Sequence, residues 1–196
     1  MKNSIKLLFY VVLITLLSAC SLKPISLETN TYTIDFKLEK NDFNRIKKEL
    51  YIEKPIVHKI FDTHAILYTK KAYQFEEYAV NKWIDTPSNM IYISLVEALE
   101  SNEVFNNISK DKRKNDSLYK LKTEVTSMYN SIEKNKSYAV LKLKFYFEMN
   151  GKNINTFIYD QKILLKNNNP YAFVFATNKN FENAINKWID EIDKNL

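Results

Sequence analysis

The sequence contains one glycine, Gly151, and one cysteine, Cys20, among 196 residues. A single glycine excludes the glycine-rich loops that hold nucleotide phosphates, because GxGxxG and Walker motifs need more than one. It also excludes the nucleophile elbow of serine hydrolases. A single cysteine excludes an internal disulfide. The chain is therefore predicted to bind no nucleotide through such loops and to be stabilised by packing alone.

Histidine is almost as scarce, since His58 and His64 are the only two. Their spacing does not fit the i, i+4 pair with which a helix holds a metal, and their segment has an extended pattern. Asp85 is a lone carboxylate at a turn, where capping is its ordinary role. No metal site and no catalytic residue is predicted, so the chain is expected not to be an enzyme.

Apolar runs are short as well. Residues 7–19 carry no charge and follow two lysines, but a membrane-spanning helix needs about 20 apolar residues. This is the pattern of a secretory signal peptide. Residues 17–20, Leu-Ser-Ala-Cys, resemble the bacterial lipobox, in which the chain is cut before the cysteine and its sulfur is acylated. We predict a lipoprotein signal peptide over 1–19 and lipidation of Cys20. The alternatives are a secreted protein with an incidental cysteine and a short uncleaved anchor.

Acylation of Cys20 would anchor the protein to one membrane face. One acyl chain holds a protein only marginally, whereas bacterial lipoproteins of this type carry three. The residue after the cysteine is Ser21. An aspartate at this position would favour retention at the inner membrane. By resemblance to the sorting rule of enteric bacteria, this indicates the periplasmic face of the outer membrane. Residues 20–30 are predicted to be the lipidated cysteine and a short tether, whose ten residues 21–30 reach at most about 33 Å. The covalent lipid is the only cofactor expected.

The chain carries an excess of positive charge. The formal net charge of +6 falls to +4 when Lys2 and Lys6 leave with the signal peptide. This balance suits anionic lipid headgroups or an acidic partner, although a lysine- and asparagine-rich proteome would produce it too. The run KDKRKND at 110–116 is predicted to be a solvated loop, with a basic contact site as the alternative. No nucleic-acid motif is present, and no nucleic-acid partner is expected.

Alternation of apolar and polar residues predicts the strands. Strands typically show this period of two when one face is buried. The segments that follow it are Thr31–Leu38, 45–53, 64–69, 104–108, 119–125, 139–148 and 157–165.

Apolar stripes of period 3.6 predict the helices. They are Gln74–Ile84, a helix that Thr86 caps and Pro87 begins and that ends near Asn102, and a last helix capped by Thr177 or Asn178. Together the elements predict an α+β fold. We expect a mostly antiparallel sheet with three main helices packed on one face, and a single domain over 31–196.

The only glycine marks a hairpin, because Asn150-Gly151 favours a turn with positive φ. A two-residue turn would place Leu141 opposite Asp160 on the core face. A three-residue loop would instead place Leu141 opposite Tyr159. A slip of one residue exchanges the faces of a strand, so we predict the second pairing.

The segment Leu67–Ile108 shows a wider pattern. A tyrosine ends a strand, a helix with tyrosine and tryptophan follows, and a proline then starts a helix with spaced leucines. Tyr68, Tyr78, Trp83 and Pro87 occupy these positions. The pattern resembles the ABC-type transport auxiliary lipoproteins, the group that contains paraquat-inducible protein C. The resemblance makes these four residues a fold-defining corner between two helices.

That resemblance implies a role in moving phospholipid or other lipid between membranes. The implied partners are an MCE-domain protein and, through it, an inner-membrane permease and a cytoplasmic ATPase. By this resemblance, the chain would be a docking or capping component and not a catalyst. The resemblance leaves self-association open. Two alternatives stay open: a lipoprotein that activates a peptidoglycan synthase, and a lipopolysaccharide-assembly lipoprotein that docks on a β-barrel.

Overall fold

The structure is a computed structural model, and it describes residues 28–38, 46–109 and 119–195. These residues form nine strands and two helices. The elements are β1 (Asn30–Tyr32), β2 (Ile46–Ile52), β3 (Ile56–Val57), β4 (Ala65–Lys71), β5 (Gln74–Trp83), α1 (Pro87–Ser101), β6 (Phe105–Ser109), β7 (Tyr119–Glu133), β8 (Lys136–Met149), β9 (Lys152–Leu164) and α2 (Pro170–Asn195).

One long strand, β7, organises the sheet. On one side it pairs antiparallel with β8, and β9 lies beyond β8. On the other side it pairs in turn with β2, β3 and β4, all parallel to it. Beyond these short strands, β6 flanks β2, β5 flanks β4, and β1 flanks β5. Five of the eight pairings are parallel, so the sheet is mixed.

The predicted fold class is therefore wrong in two respects. The sheet is mixed rather than mostly antiparallel, and the described residues contain two helices rather than three. The missing helix is the segment Gln74–Ile84, which forms β5 instead. Phe, Tyr, Val and Trp in this segment suit a strand. Since β4 and β1 pair with its two edges, tertiary hydrogen bonds override the helical spacing.

The helix α1 confirms the predicted start at Pro87, although the side chain of Thr86 makes no capping hydrogen bond. Thr86 is the N-cap residue in extended conformation, and Pro87 lies in the first turn, where a missing N–H costs nothing. The predicted apolar stripe is buried. Its members are Ile91, Leu95, Ala98 and Leu99.

The helix α2 begins earlier than the predicted caps at Thr177 and Asn178. Its cap is Asn169, whose Oδ1 accepts a hydrogen bond from Ala172 N at 2.8 Å, and Pro170 begins the helix. The predicted stripe along the rest of the helix is confirmed, because all its members are buried: Phe181, Ala184, Ile185, Trp188, Ile189 and Ile192. Neither helix among the described residues is long and apolar enough to cross a membrane.

Aromatic side chains fill the space between α2 and the sheet. The ring of Trp188 lies 5.4 Å from that of Phe145, 5.7 Å from that of Phe147 and 6.4 Å from that of Phe105, measured between centroids. All four residues are buried. The interface between this helix and strands β6 and β8 is therefore one main part of the hydrophobic core.

Residues 33–38 form an extended segment that leaves the sheet after β1. Its backbone contacts both helices, since Ile34 O accepts a hydrogen bond from Ser94 Oγ at 2.9 Å and Asp35 N donates to Asn178 Oδ1 at 2.8 Å. The alternation predicted over Thr31–Leu38 is confirmed by burial, but sheet pairing ends at Tyr32. The segment joins the two helices to each other.

The β8–β9 connection is a two-residue turn followed by a bulge. Asn150 and Gly151 form the turn with φ of 51° and 74°, as a hairpin turn of two residues with positive φ requires. The pairing then shifts by one residue, and Ile154 is the extra residue.

This bulge changes the register that the sequence indicated. Leu141 lies opposite Gln161, so the predicted pairing with Tyr159 is wrong by two residues. The same side chains still face the core, because the bulge restores the alternation that a two-residue turn alone would have inverted.

Candidate functional site

The predicted lipidation site, Cys20, lies outside the described residues, as does the basic run at 110–116. The described chain begins at residue 28. Eight Cα–Cα steps separate Cys20 from residue 28, and they can span at most about 28 Å. An acyl anchor on Cys20 would therefore hold the folded part close to the membrane.

Two of the predicted corner residues, Tyr68 and Tyr78, meet on the β4–β5 hairpin. Their ring centroids are 4.6 Å apart. Tyr68 Oη donates to Glu76 Oε2 at 2.5 Å, and Asn130 Nδ2 of β7 donates to Tyr78 Oη at 2.7 Å. The bond to the Glu76 carboxylate raises the pKa of Tyr68, and the same bond lowers the pKa of Glu76. The pair ties the hairpin to the central strand.

The other two, Trp83 and Pro87, lie where β5 leads into α1. Trp83 is buried against Phe173 of α2, with 6.2 Å between ring centroids, and its backbone N–H donates to His64 O at 2.8 Å. The corner thus joins a strand to a helix, not two helices as predicted. The structure brings together Tyr68 with Tyr78, and Trp83 with the start of α1. These contacts join β4 to β5 and β5 to α1, so the four residues have a structural role.

Asp85 forms the turn of this connection. Its Oδ1 accepts hydrogen bonds from Thr86 N at 2.6 Å and from Asn89 Nδ2 at 3.1 Å. These bonds, the one from Asn89 first, lower the pKa of Asp85. The carboxylate has the local turn role that its sequence position indicated.

The two histidines make different contacts and do not form one site. His58 is exposed and packs against Phe61, and the Nδ1 of His64 lies 3.1 Å from Trp83 O. Across the three described ranges, no group of three His, Cys, Asp or Glu side chains could hold a metal ion.

An apolar groove lies between the end of β9 and the first half of α2. Its walls include the side chains of Leu164, Tyr171 and Phe175, which are 54%, 67% and 57% exposed. Lys166 and Lys179 also line the groove, whose volume is about 290 Å³. Large apolar side chains that stay exposed together often mark a binding surface. A lipid chain or an apolar partner segment would fit this combination of apolar walls and amines.

A second, wider groove of about 580 Å³ lies beside the first. It shares Phe175 and Lys179 with the first groove, and residues 35–38 line it as well. Sequence reasoning missed both grooves because it began the last helix at Thr177 or Asn178. Tyr171 and Phe175 have an i, i+4 spacing that follows Pro170, and that spacing was the available signal.

The parallel pairing of β4 with β7 gathers several turns at one end of the sheet. Tyr68 lies opposite Asn130, so the β4–β5 turn and the β7–β8 turn project from the same end. Leu164 lies opposite Tyr138, which places the end of β9 there too. We name this part the hairpin end, defined by residues 70–77, 133–138 and 162–171. It includes one wall of the apolar groove.

Comparison with known proteins rests on the fold, because no family model and no curated protein sequence matches the chain. Protein XCC0632 from Xanthomonas campestris, described as a member of family DUF330, superposes with a TM-score of 0.73. The two share 14% identity over 85% of this chain and 100% of that one. The chain has the fold of a DUF330 protein. A second crystal structure, of an uncharacterized protein, shares this DUF330-like fold with a TM-score of 0.69 and 12% identity, over 85% and 99% of the two chains.

These findings correct the family assignment made from Leu67–Ile108. We predicted membership in the ABC-type transport auxiliary lipoproteins, but no family model matches, and the named neighbour is a DUF330 protein. At these identities the comparison shows a likeness of fold alone.

Proposed function

We propose that this protein is a lipid-anchored, non-catalytic accessory component of a system that moves lipid between membranes. Its place is the periplasmic face of the outer membrane. The observation that carries the proposal is the pairing of a lipobox at Cys20 with an exposed apolar groove on α2. The anchor keeps the groove within reach of membrane lipid.

The chemistry of the groove supports a role in handling lipid. Leu164, Tyr171 and Phe175 offer apolar contact at the surface, and Lys166 supplies a cation beside them. The burial of apolar area drives association with acyl chains, and amines favour anionic headgroups. A single glycine excludes glycine-rich phosphate-binding loops, so the proposal assigns any ATP hydrolysis to another subunit. The proposed partners are an MCE-domain protein and, through it, a permease and an ATPase.

The test uses the acylated full chain in its native host. Wild type, Cys20→Ser and the double variant Tyr171→Ser/Phe175→Ser are compared with Ile158→Ser, an exposed apolar residue of β9 outside the groove. We expect Cys20→Ser to leave the membrane fraction. The groove variant should stay in that fraction but fail to restore detergent resistance to a deletion strain. The control should behave as wild type.

Affinity purification of the wild-type protein supplies the second readout. Recovery of an MCE-domain protein is expected, with less recovered by the groove variant than by Ile158→Ser. Recovery of cell-wall synthases or of an outer-membrane barrel, without any MCE subunit, would refute the proposal.

A further inference from the structure

The hairpin end combines exposed aromatic and basic residues with the direction from which the chain enters the fold. We propose that this end docks on the anionic headgroups of the bilayer that holds the acyl anchor, and so fixes the orientation of the protein on the membrane. The inference rests on the lipid anchor of the proposed function and adds a second, non-covalent contact.

The direction of β1 is the first observation. It runs parallel to β5, with Asn30 opposite Asn81, and β5 starts at Gln74 in the hairpin end and runs away from it. The chain therefore reaches Asn30 from the side of the hairpin end. Asn81 lies about 23 Å along the strand from Gln74. The tether of ten residues, which can reach about 33 Å, is long enough to bring Cys20 level with this end.

Tyr73 is the second observation. Its side chain is fully exposed. Its backbone φ is 68°, a value that residues other than glycine and asparagine rarely adopt. Lys134, Asn135, Asn150 and Gly151 take positive φ in the other two hairpin turns, so Tyr73 is the one aromatic residue in this conformation among the described residues. A bulky tyrosine held outward at such a position suggests that its side chain is needed there. Tyrosine is enriched where membranes meet water, because its ring is apolar and its hydroxyl polar.

The charge of the hairpin end is the third observation. Its ranges contain six lysines, Lys70, Lys71, Lys134, Lys136, Lys162 and Lys166, and three glutamates, Glu76, Glu77 and Glu133. Lys70 lies 3.6 Å from Glu76, and Lys162 lies 2.5 Å from Glu133. The lysines outnumber the glutamates, and a net positive surface is attracted to anionic lipid headgroups.

Exposed apolar side chains continue across the same end. Leu164 and Tyr171 lie beside Lys166 at the mouth of the groove. On this surface, amines lie among tyrosine and leucine side chains. Such a surface is complementary to anionic lipid headgroups and to the acyl chains beneath them. The occupant to which we assign the hairpin end is therefore a bilayer surface.

The experiment places a fluorophore at each end of the sheet in the acylated full-length protein. Ala72→Cys lies in the β4–β5 turn, and Lys152→Cys lies beside the β8–β9 turn at the opposite end. Each variant is labelled with an environment-sensitive dye and reconstituted in nanodiscs of phosphatidylglycerol or phosphatidylcholine. An acylated Cys20 does not react, so one dye per chain is expected.

We expect the dye at position 72 to shift its emission to the blue and to be quenched by lipids with a nitroxide headgroup. The effect should be larger in phosphatidylglycerol than in phosphatidylcholine, and the dye at position 152 should stay in water. Adding Lys71→Glu and Tyr73→Ser to Ala72→Cys should return the emission to its value in water, with an unchanged melting temperature.

Three outcomes would overturn the membrane contact. The dye at position 72 could stay in water in both lipids, the dyes at both positions could shift equally, or position 72 could become protected only after a partner protein is added. Two dyes per chain would show instead that Cys20 is unmodified. That result overturns the anchor of the proposed function, and it is read from dye stoichiometry rather than from emission.

Discussion

Asp62 Oδ1 accepts a hydrogen bond from Ser88 N at 2.9 Å. Ser88 lies in the first turn of α1, and Thr86, the N-cap residue, makes no capping bond with its side chain. The helix is thus capped by the loop between β3 and β4. The first N–H groups of a helix have no partner within it. Asp62 therefore accepts the capping hydrogen bond that the sequence predicted for Thr86.

Asp62→Ala should lower the free energy of unfolding by about 1 kcal/mol, as the loss of a capping side chain usually does. Thr86→Ala is the matched control and should change it by less than about 0.5 kcal/mol. Urea denaturation followed by circular dichroism measures both. Equal costs for the two variants would contradict the assignment of the cap.

Tyr159 should make the protein sensitive to alkali. Its hydroxyl donates to Asn180 Oδ1 at 2.9 Å, and burial raises the pKa of Tyr159 to about 12. The folded state therefore holds this proton more tightly than the unfolded state, whose tyrosine titrates near 10. The resulting stability is complete below about pH 10 and is lost as the pH rises towards 12.

Tyr159→Phe should remove this part of the pH dependence. The variant should be less stable at pH 7 by about 1–3 kcal/mol, because a buried acceptor loses its donor, and should lose less further stability between pH 10 and 12 than wild type. Tyr171→Phe, on an exposed tyrosine, is the control. Chemical denaturation at several pH values tests this, and parallel alkaline curves for wild type and Tyr159→Phe would disprove it.

Gly151 should be the costliest residue to replace in the β8–β9 turn. Its φ is 74°, and a Cβ built there meets no atom within 4 Å. The cost of Gly151→Ala is therefore a backbone cost, about 1 kcal/mol. Gly151→Asn should cost less, because asparagine tolerates this conformation. Thermal unfolding of both variants provides the comparison, and an alanine variant as stable as wild type would rule out the backbone argument.

Trp188 should dominate the stability of the core. Trp188→Ala should cost about 3–5 kcal/mol, as removal of a large buried aromatic side chain does. Trp188→Phe should cost clearly less, because it keeps a ring against Phe145 and Phe147 and removes the indole N–H, which has no partner among the described atoms. Guanidinium denaturation distinguishes them. Similar losses for the two variants would argue against ring packing as the source.

Much of the fold could be predicted from local sequence because local residues decide it. Pro87 starts α1, since its fixed φ and absent N–H suit a first turn. The stripe through Trp188 is buried, because its spacing places every member on one side of a helix. Alternation along β7 and β8 likewise placed Leu121, Leu141 and their neighbours in the core.

Other parts could not be predicted, because their hydrogen bonds go to distant residues. Gln74–Ile84 has apolar residues that fit either a helix or a strand, and only its pairing with β4 and β1 decides for the strand. The register of β9 depends on a bulge at Ile154 that the turn sequence does not reveal. The groove on α2 depends on the meeting of β9 with a helix turn that begins at Pro170.

By itself, the sequence determined the lipobox-like motif around Cys20, the turn at Gly151, the start of α1 and the buried stripe of α2. Each of these depends on bond geometry or spacing within a few residues. Only the tertiary structure decided that β5 is a strand, that the sheet is mixed, that Asp62 caps α1 and that lysines and tyrosines meet at the hairpin end. Those features depend on which distant groups satisfy each other's hydrogen bonds and bury each other's apolar surface.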